Sequence, residues 1–214
     1  MKNYLIIGGT SDIGFELIKR INQKKSNIFF TYYKNKSLSR KICKDNLNIQ
    51  SSRLDLRSKQ NITNTIKKSF KFLIKIDVII LCSIQNLKRK RFDRIINQDF
   101  KKFFNTNFFG YLEVLKIILQ HQSKDLKILN LSSQALNKHS VGLTHYNSFK
   151  AAMEELLSTI NEEYKTISIK NIRLGKFDTK GYRRTNKNFS KKKLLKISKP
   201  KKPKLAVSSI IKHI

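Results

Sequence analysis

The sequence predicts an α/β fold of three layers, with a doubly wound, mostly parallel sheet between two layers of helices. Three observations carry that expectation. Short apolar runs alternate with longer stretches of helical periodicity, the pattern of right-handed crossovers between parallel strands. The run "VIILCS" is apolar almost throughout instead of alternating, as in a strand covered by helices on both faces. The first apolar run, "YLII", passes through a glycine turn directly into a helical pattern. Strands are expected at Tyr4–Ile7, Ile28–Tyr32, Asn48–Leu54, Val78–Cys82, Ile128–Ser132 and Ser168–Arg173. Helices are expected at Gly14–Gln23, Ser58–Phe72, Asp99–His121 and Tyr146–Tyr164, with a short basic helix within Ser37–Asp45. After Asp178 the pattern weakens into a basic, loop-like stretch, and helical spacing returns over Leu205–Ile214.

With 214 residues the chain fits one domain, residues 1–214, with a sizeable core. Seven glycines and two prolines suit a compact fold, and no apolar run approaches the ~20 residues that span a bilayer. The apolar run Tyr4–Ile7 is shorter than an export segment needs and ends in a glycine turn, so a cytoplasmic protein is expected. Two cysteines without a CxxC pair, and four histidines, speak against a disulfide scaffold or a zinc site. Forty-six Lys and Arg against 14 acids give a net charge of +32. A field of that size favours anionic partners in general. The cations are spread along the chain and no RNA-binding module accompanies them, so no specific nucleic-acid partner is expected.

In "YLIIGGTSDIG" the strand end and helix start form a crevice where unpaired amides and the helix dipole favour a phosphate. Gly8 permits the tight turn and Gly14 lets helix and strand approach. Thr10, Ser11, Asp12 and Ile13 lie in the turn and at the helix start. No GK[ST] follows, so this is not a phosphate loop of the nucleoside-triphosphatase kind. Asp55, Ser83 and Ser132–Ser133 also stand just beyond strand ends, the edge of an open α/β sheet that binds ligands. Asp55 has a bland alternative as the cap of the helix starting near Ser58. Farther on, "HYNSFKAAME" places Tyr146 and Lys150 four apart on one helical face.

These residues, taken in order, resemble the classical group of the short-chain dehydrogenase/reductase family. The turn Gly8-x-x-x-Asp12-x-Gly14 resembles its coenzyme loop, with Asp12 in place of the middle glycine. "LDL" puts Asp55 at the aspartate that contacts adenine. "NTNFFGYLEVLKIIL" resembles the helix with the active-site asparagine, Asn107. "KILNLSSQ" puts Ser133 at the catalytic serine, and Tyr146 with Lys150 at the YxxxK pair. "IKNIRLGKFDT" is similar to the segment below the nicotinamide, where Gly175 and Thr179 match and Leu174 replaces a proline. The resemblance covers roughly Met1 to Thr179.

It implies a Rossmann-like dinucleotide domain and reversible hydride transfer between a nicotinamide coenzyme and a small carbonyl or alcohol. Tyr146 would be the general acid, Lys150 would favour its phenolate and hold the nicotinamide ribose, and Ser133 would bond the substrate oxygen. Asn107 would maintain a proton relay beside Lys150, and Thr179 would hold the carboxamide. The coenzyme loop, Asp55, Ser83, Tyr146, Lys150 and Gly175 complete the expected coenzyme contacts. After the second strand, "FFTYYKNK" has no acid and places Lys34 at hand, which favours NADP(H) over the alternative NAD(H). Family members commonly form homodimers or homotetramers.

Two departures stand out. Ile84 replaces a glycine where backbone should approach coenzyme, and the sheet is expected to lack the usual last strand, which would leave an edge to be covered. They motivate a rival reading, a degenerate, non-catalytic family member that binds a nucleotide or regulates. Residues 180–204 are expected to be a basic loop or a reduced substrate lid.

Overall fold

The computed structural model describes residues 1–23, 26–85, 87–186 and 199–214. Its six strands are β1 (Asn3–Ile7), β2 (Asn27–Tyr32), β3 (Ile49–Arg53), β4 (Val78–Leu81), β5 (Leu126–Ser133) and β6 (Ile167–Leu174), in the spatial order β3-β2-β1-β4-β5-β6. All five pairings are parallel. The order reverses between β1 and β4, so their carboxyl ends diverge around a crevice, the place where doubly wound sheets bind ligands.

Period-two alternation feeds both faces of the sheet. Leu5 and Ile7 of β1 and Ile79 and Leu81 of β4 point into one core, with α3 (Lys59–Leu73), α5 (Gly110–His121) and α7 (Thr144–Glu163). Tyr4 and Ile6, with Val78 and Ile80, point into the other, under α1 (Asp12–Asn22), α2 (Lys36–Cys43) and a last helix, α9 (Lys204–Ile211). Each fully buried aliphatic side chain contributes about 1.5–3 kcal/mol. Both faces of the strand therefore constrain its register, and a one-residue slip would exchange the two cores.

The helices start where local chemistry starts them. Ser11 caps α1 by accepting from the Gly14 amide at 3.0 Å, with Asp12 in the first turn and Lys19 and Arg20 in the last. Ser58, not Asp55, caps α3, accepting from the Asn61 amide at 3.2 Å. The helix expected over Asp99–His121 is instead α4 (Asn97–Phe104), a π-helical turn (Asn105–Phe109) and α5. Asn107, fully buried in that turn, sends its amide out of the helix to another loop, and widened turns of this kind often mark functional sites.

Two further differences concern the later part of the chain. Where a loop was expected, Lys180–Asn186 form a helix, α8, whose start is tied down by Thr179 Oγ1 accepting from the Tyr182 amide at 3.0 Å. The remainder of the expected basic loop or lid falls largely on residues 187–198, outside those described. The sheet has six strands among the described residues, and the outer edge of β6 is not bare. The Ile169 amide donates to Asn161 Oδ1 at 2.8 Å, and Phe177 forms a one-residue parallel bridge with Lys201. A side chain of α7 satisfies there what another strand would. Another short helix, α6 (Ala135–Lys138), is a single turn between β5 and α7.

Candidate active site

At the end of β1 the chain turns through Gly8, whose φ of +96° only glycine adopts without strain. A Cβ there would meet Ser83 Cβ at 2.5 Å, and one on Gly14 would meet the Gly8 carbonyl oxygen at 2.4 Å. The turn is pinned to β2 by Gly8 N–H donating to Thr31 Oγ1 and Gly9 N–H to the Thr31 carbonyl. The amides of Asp12 and Ile13 find no partner among the described residues, so the positive end of α1 opens into a cavity of about 460 Å³. A backbone cradle of this kind fits a pyrophosphate. Asp12, the acid in place of a glycine, does not point free into the crevice: its carboxylate accepts from the Lys180 amide and ties the start of α8 to the start of α1.

The same cavity reaches Ser133, Tyr146 and Lys150, and also touches Ser83, Ile84, Gly175 and Thr179. Ser133 ends β5, and its Oγ accepts from the Ala135 amide at 3.1 Å. Tyr146 and Lys150 share the inward face of α7, with the Lys150 Nζ 6.0 Å from the Tyr146 ring centre. Burial pushes the Tyr146 phenol above its ordinary pKa, and a hydrogen bond with Ser133 acts against that. Lys150 is only 6% exposed, and burial brings its ammonium down to about 8 against the opposing pull of Glu154 and Cys82. It donates to the Leu131 carbonyl at 2.6 Å. Sequence reasoning expected the lysine charge to lower the tyrosine. Here the phenol is raised, because burial is the largest influence on it and Lys150 is turned to a β5 carbonyl.

Asn107 is not in the cavity wall. Its Oδ1 accepts from the Gln85 amide at 2.8 Å, and its Nδ2 donates to the carbonyls of Gln85 and Phe103. It positions the loop after β4. A second support of that loop escaped sequence reasoning. The buried Tyr111 hydroxyl accepts from the Ser83 amide at 3.1 Å and lies 2.8 Å from the Ser83 carbonyl, to which it donates, and 2.9 Å from the Ser83 hydroxyl. Only its place one helical turn after Asn107 could have signalled it. Ile84, the departure from glycine, packs partly against the core under α3, α5 and α7 while touching the cavity.

Lys34 and Asp55 lie apart from this cavity, at the β2–β3 edge. Arg57 grips Asp55 with two hydrogen bonds, of 2.9 and 2.8 Å, and also reaches the Tyr33 hydroxyl. Arg53 stacks 5.2 Å from the Tyr33 ring centre, and Lys34 lies 5.8 Å from it. Arg57 holds the Asp55 carboxyl below the usual carboxylate range. Tyr33, Arg53 and Arg57 were missed because each looks like one more solvated residue in a cationic chain.

A doubly wound parallel sheet with a phosphate cradle at its first turn, and Ser, Tyr and Lys converging on one cavity, defines a nucleotide-dependent enzyme of the dehydrogenase type. The family model for short chain dehydrogenase matches residues 2–189, and the chain belongs to that family. It is an NAD(P)-dependent oxidoreductase acting on carbonyl and alcohol groups. A Saccharomyces cerevisiae protein described as an uncharacterized oxidoreductase is 28% identical over 177 residues, 76% of this chain and 68% of that one. Among solved structures, ElxO with NADP bound superposes with a TM-score of 0.86 at 22% identity, covering 99% of this chain and 90% of its own. A Serratia marcescens short-chain dehydrogenase/reductase reaches 0.84 at 14% identity, covering 100% and 91%. At those identities the structures establish a shared fold. No helix among the described residues is long and apolar enough to cross a membrane.

Proposed function

We propose that the chain reduces carbonyl compounds with NADP(H), with Tyr146 as proton donor. The observation that carries this reading is the convergence of Ser133, Tyr146 and Lys150 on the cavity into which the open amides of α1 also point. When bound, the coenzyme supplies or accepts the hydride. The chain's residues do the rest. The Asp12 and Ile13 amides would receive the pyrophosphate, with Thr10 and Ser11 beside it, and Gly8 and Gly14 let the turn and helix pack closely enough to present those amides. Ser133 Oγ bonds the substrate oxygen. Tyr146 gives its phenolic proton to that oxygen as negative charge builds there, and the phenolate left behind has the Lys150 ammonium 6.0 Å from its ring centre. Lys150 would also hold the ribose, and Gly175 and Thr179, which line the same cavity, would hold the nicotinamide. Asn107 and Tyr111 hold the Ser83–Gln85 loop at the cavity wall, where it would border the coenzyme.

The choice of NADP(H) rests on the cations at the β2–β3 edge, Lys34 with Arg53 and Arg57, facing a single acid that is already engaged by Arg57. ElxO, of like fold, carries NADP. Fluorescence titration of NADPH and NADH tests the reading: tight NADPH binding with weaker NADH is expected, and failure of both to bind would sink it. Lys34→Glu should weaken NADPH more than NADH, and an equal loss would count against that residue's role. The same family reading makes the protein a cytoplasmic homodimer or homotetramer and residues 1–214 one domain. Light scattering that gives a monomer would remove the assembly.

A further inference from the structure

The cavity wall carries a group of cations that the hydride chemistry does not use. Arg89 stands on the loop after β4, Lys138 at the end of α6 after β5, and Lys176 after β6, and all three line the cavity. They are close enough to act on one another: burial first, then the charges of Lys138 and Arg89, hold the Lys176 ammonium below its ordinary range. Neither Lys138 nor Lys176 belongs to an ion pair among the described residues. The acids at hand are already engaged: Asp12, which also lines the cavity, accepts from the Lys180 amide. The segments 82–91, 131–150 and 174–186 contain one, Asp178, which is paired with Arg183 at 2.8 Å. Beyond Asp178 the sequence has no Asp or Glu at all.

A cationic chain has solvated lysines everywhere, and those ask for nothing. This group differs in being gathered around a concave space with apolar walls at Leu87 and Leu143, where the three like charges repel and Arg89 and Lys176, though not the exposed Lys138, lose part of their solvent. An anion entering the space removes both costs. The coenzyme pyrophosphate has its own cradle at the α1 amides. Arg89 instead braces the turn leading into the Tyr146 helix, donating to the Val141 carbonyl at 2.7 Å, while the neighbouring Lys90 amide donates to the Gly142 carbonyl at 3.0 Å.

We propose that the substrate is a carbonyl compound bearing an anionic group, a carboxylate or a phosphate, which Arg89, Lys138 and Lys176 receive while Ser133 and Tyr146 engage the carbonyl. This rests on the oxidoreductase reading and adds the substrate class. Anionic selectivity would come from the pocket and not from the field of the whole chain.

The test uses the NADPH-saturated protein at fixed, physiological salt with three aldehydes of one shape: 4-carboxybenzaldehyde, 4-formylphenyl phosphate and neutral methyl 4-formylbenzoate. At least one anionic aldehyde should exceed the ester in kcat/KM by about 10-fold or more, the scale of a charge-assisted hydrogen bond. Which of the two leads identifies the anion. In Lys138→Met, and separately in Arg89→Leu, that ratio should fall toward one, through KM of the anion, while the NADPH dissociation constant stays within about 2-fold. The exposed-charge variant Lys41→Met/Lys68→Met should keep the ratio. Equal use of all three aldehydes, a ratio surviving both pocket variants, a parallel loss of NADPH affinity, or an equal fall in the exposed-charge variant would each overturn the proposal. Thermal shifts of the NADPH complex with terephthalate against its dimethyl ester separate the two readings. Stabilisation by the dianion alone without turnover of any aldehyde would sink the oxidoreductase reading and keep the anion site. Turnover of the ester without anion preference would do the reverse.

Discussion

At the catalytic end of the crevice Lys150 is 6% exposed, and its ammonium meets one backbone carbonyl. At the β2–β3 edge Asp55 is held by Arg57 and Arg53, whose side chains are 54% and 53% exposed. The first site has few partners and little water. The second has many partners and much water. The same unit of charge therefore does different things. At Lys150 desolvation moves the proton equilibrium far enough to matter near neutral pH, whereas around Asp55 solvent screens a dense network into a modest recognition surface.

The largest effect expected from breaking this contrast is at the catalytic end. Tyr146→Phe should lower kcat for carbonyl reduction by about 10²–10⁴-fold, the usual worth of general acid catalysis, with NADPH binding nearly intact. Steady-state kinetics beside a fluorescence titration would decide it, and unchanged turnover would remove the role. Next, Tyr111→Phe deletes the hydroxyl that serves the Ser83 amide, carbonyl and side chain. Stripping buried polar groups of a partner costs about 1–3 kcal/mol, so a lower denaturation midpoint and weaker NADPH binding are expected together. A stability loss without any change in NADPH affinity would make Tyr111 purely structural.

Lys150 also links pH to stability. Its folded-state pKa of about 8 lies below the ordinary 10.5, so the unfolded chain binds the extra proton between those values. Stability from this group therefore rises with pH from about 8 to 10.5, and it is lowest below 8, where the buried amine is charged. Urea melts should show that slope in the wild type and lose it in Lys150→Met. Glu154 holds the Lys150 pKa up and is itself gripped by Arg173, at 2.6 Å. Glu154→Gln should move the alkaline limb of kcat to lower pH, and a profile that does not move would deny Glu154 this positioning role. The smallest effect is expected at the exposed edge, where Arg57→Leu should weaken NADPH roughly 2–5-fold, in keeping with a partly solvated charge pair. A loss of 100-fold or more there, on the order of a desolvated contact, would mean that the edge is covered when coenzyme is bound.

Much of this was legible in the residues. The strands followed from apolar runs, and all six lie within two residues of where the sequence places them at either end. Local periodicity places Ser133, Tyr146, Lys150 and the glycine turn at strand ends or on one helical face, and the resemblance to a known family marked them, in that order, as a site. The π-helical turn was not legible, since Asn105–Phe109 has the spacing of an ordinary helix and only the reach of Asn107 to Gln85 across the fold widens it. α8 was hidden for a similar reason: its basic composition reads as loop, and it is held by the Asp12 carboxylate 168 residues earlier.

The sequence by itself determined the alternation of strand and helix, the order of the site residues and the extreme positive charge. Those depend on neighbours in the chain: side-chain period, capping residues and glycine at a turn. Tertiary structure alone decided which charges matter. It desolvated Lys150, engaged the Asp12 carboxylate at the start of α8, and gathered Arg89, Lys138 and Lys176 from three separate segments around one cavity. Burial and the approach of distant charges set those properties, and neither is written in any one stretch of the chain.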